Sequence, residues 1–91
     1  MAELAKGTQI AYVPGHAGGD LGHPDVEFGF VMSRGRGGYF CRYWSKHTPG
    51  ELRKKANSEL TPDFLLVQVD SVPQRRVDKA IERVEGDTWT C

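Results

Sequence analysis

Three things are scarce in this chain, and each scarcity excludes something. Cysteine is the first: Cys41 and Cys91 are the only two, too few for a disulfide framework and without metal-ligand spacing. Apolar length is the second. The longest uninterrupted run, Phe64-Leu65-Leu66-Val67, falls far short of the roughly 20 residues that span a bilayer, and residues 1–6 lack the apolar core of a signal peptide. A reduced, cytoplasmic protein with no membrane partner is the resulting expectation. Catalytic punctuation is the third. None of Ser33, Ser45, Ser58 and Ser71 lies in a G-x-S-x-G context, so the serine-hydrolase elbow is missing. Cys41 falls mid-strand, where a small buried hydrophobe is the expected role, and His47 has no evident third member of a triad. We expect no catalytic residue and no cofactor.

Glycine is plentiful, at 11 of 91 residues, which favours a turn-rich β protein over a helix bundle. The length suits one small domain with one modest core. Formal net charge is zero, but the charges are segregated. Residues 34–55 hold Arg34, Arg36, Arg42, Lys46, Arg53, Lys54 and Lys55 against the single acid Glu51. Such a split suits either a solvated face or an electrostatically two-sided molecule.

Strands are expected near 8–13, 28–33, 39–44 and 66–70, all rich in β-formers. Arg34-Gly35-Arg36-Gly37-Gly38 joins the second and third as a hairpin. By strict alternation one face of that hairpin carries Val31, Ser33, Tyr39, Cys41 and Tyr43, and the other carries Phe28, Phe30, Met32, Phe40 and Trp44. Apolar residues on both faces require two covers. One is the domain's own interior. The other is a C-terminal helix over 72–84, where Val77, Ala80, Ile81 and Val84 fall at i, i+3, i+4 and i+7, with Ser71 and Gln74 at capping-box spacing. Alternatively, the aromatic face is left free for a partner. Residues 45–60 read as a basic excursion with a helical turn possible around 51–56, 61–65 as a turn, and 85–91 as a tail that Trp89 could pin. The whole is a mainly β single domain: a small SH3-like barrel of four to five antiparallel strands, core about 7–70, with one C-terminal α-helix.

The long loop between the first two strands presents His16, Asp20, His23, Asp25 and Glu27. Imidazoles and carboxylates together suit a divalent ion, but the H-x3-D-x2-H-x-D-x-E spacing matches no metal motif with a geometric reason behind it. Turn chemistry accounts for the same residues, since Asp side chains bond nearby backbone N–H groups and Pro24 holds His23 extended. We therefore expect a structured loop packed on the sheet, without a tightly bound metal; a ligand or protein contact made by the loop is the third reading. Nucleic-acid binding draws on a different set, Arg34, Arg36, Arg42, Tyr43, Trp44, Lys46 and Lys54, where cations interleave with aromatics as single-strand binders require.

One resemblance bears on these choices. The pattern Gly7-Thr8, Tyr12-Val13-Pro14, His16-Ala17-x-Gly19-Asp20, His23-Pro24-Asp25-x-Glu27, Gly29 and Val31 resembles that of small functionally uncharacterised proteins of tailed-phage and prophage genomes. It covers about residues 7–44. The resemblance implies an SH3-like core and a viral accessory protein in the host cytoplasm, a non-catalytic module that binds a host or phage protein, for instance one of a host defence system. It implies no activity.

Overall fold

The computed structural model describes residues 3–46, 48, 51–53 and 59–87. Five antiparallel strands run β1 (Gln9–Tyr12), β2 (Glu27–Gly35), β3 (Gly38–Tyr43), β4 (Glu59–Pro62) and β5 (Leu66–Gln68), followed by one helix, α1 (Gln74–Asp87). Short 3-10 turns occupy Gly15–Ala17 and Asp63–Leu65. The strand order is β4-β3-β2-β1-β5, a meander whose last strand returns beside the first. Hydrogen bonding leaves β4 and β5 as two edges, so the closed barrel expected from the sequence is corrected to an open sheet. The edges are poor closers: β5 has three residues, and β4 ends in Pro62, which has no N–H to donate.

The hairpin of β2 and β3 turns through Arg36 and Gly37, with Gly37 at φ 74°, a conformation that costs glycine little. Its register does not run straight. Val31 pairs with Cys41, but Ser33 pairs with Phe40, so Met32 is the extra residue of a β-bulge. The bulge moves Ser33 off the Val31 face that simple alternation gave it. One buried cluster then comprises Ile10, Val31, Tyr39, Cys41 and Tyr43, with Leu4, Tyr12 and Leu66 against it. A second holds Ala11, Val13, Ala17 and Val26, with Phe28 and Val69.

Helix α1 begins two residues later than the sequence suggests and continues through Asp87, so residues 85–87 belong to it rather than to a tail. Its anchor is Val77, 0% exposed. Gln9, buried in β1, ties down the preceding chain: its Oε1 accepts from Ser71 N at 3.2 Å, Ser71 Oγ at 3.3 Å and Val72 N at 3.0 Å, and its Nε2 donates to Val72 O at 2.7 Å. Ser71 is thus spent on Gln9 and not on a capping box. Gln74 Nε2 donates to Gly7 O at 2.9 Å, and Lys6 Nζ meets Glu85 Oε2 at 2.6 Å. Phe30 and Trp44 stack in a tilted pair at 5.5 Å on the face toward the helix.

Two further readings change. β4 lies where the sequence suggested an excursion and a turn. The helical turn around 51–56 is not formed at 51–53, where Leu52 makes an isolated antiparallel bridge with Trp44; residues 54–56 lie outside the described residues, as do His47, Lys55 and Trp89.

Candidate functional site

The β1–β2 loop is built from the inside out. Ala17 and Val26, both buried, fix its two limbs in the second cluster, and this leaves His16, Asp20 and Asp25 exposed and His23 half-buried. Gly22 N donates to Asp20 Oδ1 at 2.9 Å, an Asx-type turn. Asp25 does something else: its Oδ2 lies 2.6 Å from His16 Nε2, while its own N–H donates to His23 Nδ1 at 3.0 Å. The two imidazoles meet edge to face at 5.4 Å. Glu27 leaves this group, because its Oε1 accepts from Arg53 Nη1 at 2.6 Å. Replacing Asp20 by alanine should lower stability by about 1 kcal/mol, the typical net worth of one such bond, read as a fall in the urea midpoint.

Asp25 also makes the loop sensitive to acid. The His16 hydrogen bond, aided by the charges of His16, His23 and Lys46 and opposed by desolvation, holds its carboxyl below the ordinary 3.8. A carboxyl depressed on folding contributes stability above its unfolded value and loses it as pH falls through the folded value. The loop amides should therefore shift in a step displaced below 3.8 in an NMR acid titration. Asp25→Asn should abolish that step.

The described residues of the basic segment do not form one surface. Tyr39 and Tyr43 are both 4% exposed, and Tyr43 shares a 2.6 Å hydroxyl hydrogen bond with Thr61, its phenol pushed up by burial. Neither can stack on a base, which corrects the assignment of Tyr43 to a nucleic-acid surface. Arg34 lies over the Tyr39 ring, donates to its hydroxyl at 2.9 Å and pairs with Glu3. Arg36 stands exposed in the hairpin turn. Lys46 donates to Pro24 O, beside the histidine loop. Lys54 lies outside the described residues.

Arg42 and Trp44 remain, and the fold gives them new neighbours. A groove of about 240 Å³ is lined by Trp44, Arg75, Arg76, Lys79, Ala80 and Arg83. A second, of about 200 Å³, continues past Trp44 to Arg42, Glu51, Leu52 and Val84. Trp44 Nε1 is buried with no hydrogen-bond partner among the described residues, and a buried donor left unpaired is costly. No carboxylate among the described residues pairs with Arg75, Arg76, Lys79 or Arg83. The signal was in the helix: at about 100° per residue these four cations share one flank, Asp78, Glu82 and Glu85 the other, and the apolar stripe lies between. Each groove is below the roughly 300 Å³ at which drug-sized ligands begin, with space for one phosphate or a single base.

No helix among the described residues is long and apolar enough to cross a membrane. No family model, no curated protein and no solved structure matches the chain.

Proposed function

We propose that this is a non-catalytic binding module whose helix–sheet groove takes a single-stranded nucleic acid. The observation that carries the reading is the half-buried Trp44 lining a groove with Arg75, Arg76, Lys79 and Arg83, four cations that lack ion-pair partners among the described residues. Arg75, Lys79 and Arg83 recur every four residues, about 6 Å apart along the helix axis, a spacing of the order of that between successive phosphates. Phosphate contacts and aromatic stacking are the two components of sequence-tolerant single-strand binding. If phosphates neutralise these cations, log K falls with log salt, and Arg75→Ala and Lys79→Ala should each reduce the slope by somewhat less than about one unit. Trp44→Ala should weaken binding by about 1–3 kcal/mol. Fluorescence anisotropy across a salt series reads both.

A protein partner is the second reading, favoured by a separate apolar patch on β4 and the turn after it. Phe64 is 78% exposed and Leu60 49%. Nearby, Tyr12, Tyr43, Pro62 and Leu65 line a groove of about 510 Å³. Such a patch suits a host or phage protein, as the phage-protein resemblance implies for a cytoplasmic accessory factor. Pull-down from host lysate with and without nuclease separates the readings: recovery of nucleic acid alone favours the groove, and a nuclease-resistant protein favours the patch. We also read the sheet as SH3-like; the return of β5 beside β1, the 3-10 turn that precedes it and the long β1–β2 loop support that.

A further inference from the structure

We propose that His16, His23 and Asp25 form a site for a borderline transition-metal ion such as Zn²⁺, separate from the groove. One ligand atom from each residue lies within 4.8 Å of the other two, and His16 Nε2 and Asp25 Oδ2 are already 2.6 Å apart. Two imidazoles and a carboxylate suit Zn²⁺, Co²⁺ or Ni²⁺, whereas Ca²⁺ and Mg²⁺ prefer all-oxygen shells. Zn–N and Zn–O bonds of about 2.0–2.2 Å put tetrahedral ligand atoms roughly 3.4 Å apart, so the His16–Asp25 pair must open from 2.6 Å while the wider separations, up to 4.8 Å, close. The loop can supply this. A Cβ at Gly15, Gly18 or Gly19 would meet nothing within 4 Å, so these backbone segments are uncrowded, while Ala17 and Val26 hold the limbs in place.

The existing hydrogen bonds set the exchange that binding requires. To coordinate, His16 Nε2 gives up the proton it shares with Asp25 Oδ2; an imidazolium loses that proton to solvent, and a neutral ring carries its one proton at Nδ1 instead. His23 Nδ1 gives up the Asp25 N–H bond and coordinates with that same lone pair; its Nε2 keeps its proton. Water completes the shell. Because the metal displaces bonds already made, and because the Lys46 ammonium sits on the Pro24 carbonyl, the site is a reversible one of moderate affinity. This departs from the expectation of a loop held by turn chemistry alone; the turn is present at Asp20, but the sequence spacing does not reveal that His16 and His23 meet.

Calorimetric titration of tag-free protein with ZnCl₂ tests the proposal. One site is expected, with affinity reduced about tenfold or more in each of His16→Ala, His23→Ala and Asp25→Asn. Lys46→Met should bind more tightly, and His47→Ala should bind as the parent does. NMR of the unsubstituted protein guards against a folding defect in the variants: Zn²⁺ should shift the His16 and His23 ring signals together. Absence of binding, retention of affinity in the His23 and Asp25 variants, or ring shifts confined to His47 would each overturn the proposal.

Discussion

Replacing Gly29 by alanine should destabilise the protein by more than about 3 kcal/mol, a large part of the roughly 5–15 kcal/mol that holds a domain folded. Gly29 stands in β2 between Ile10 of β1 and Tyr43 of β3. A Cβ there would lie 1.9 Å from Arg42 O and 2.8 Å from Tyr43 Cα. Both are backbone atoms of the neighbouring strand, so no side chain can swing aside; the strain is relieved only by opening the β2–β3 ladder. Gly18→Ala is the informative contrast. Its Cβ would meet nothing within 4 Å, and only the φ of 62° is unfavourable, at about 1–2 kcal/mol. Urea midpoints of the two variants should therefore be well separated, with Gly29→Ala by far the lower. Equal midpoints would mean that the strands are not so closely apposed.

The second large effect is expected at Val77→Asp. Val77 is fully buried at the centre of the apolar stripe of α1, and an aspartate there must either desolvate a carboxylate or release the helix. A loss of about 3–5 kcal/mol follows, as for a buried charge without a partner. This substitution joins fold to function, since the groove at Trp44 exists only while α1 is docked. Oligonucleotide affinity should drop with it, whereas Glu82→Ala, on the exposed acidic flank, should leave stability within about 0.5 kcal/mol.

Where local chemistry decides structure, the sequence was legible. Glycines between two β-rich runs specify the β2–β3 hairpin, and the spacing of Val77, Ala80, Ile81 and Val84 specifies the helix. Strand β4 was not legible, because Glu59-Leu60-Thr61-Pro62 has one aliphatic residue and acquires its conformation by pairing with β3; β propensity is largely a matter of such context. The bulge at Met32 was equally hidden, and a single inserted residue reverses every facing assignment beyond it. In the same way the basic segment read as one surface along the chain, although folding buries Tyr39 and Tyr43 and ties Arg53 to Glu27. The groove combines residues 42–44 with 75–83, a juxtaposition that only the docked helix creates. Its cationic flank is legible on a helical wheel once charge is plotted as well as apolar positions.

Trp44 is one of two tryptophans, so occupation of its groove can be followed by its fluorescence. In a Trp89→Phe background, Trp44 emission should change saturably as a single-stranded oligonucleotide is added at low salt, and the change should reverse as salt is raised. The same titration with Arg75, Lys79 and Arg83 replaced by alanine should require far more oligonucleotide. Unchanged emission at low salt, where electrostatic binding is strongest, would contradict the assignment of the groove to nucleic acid.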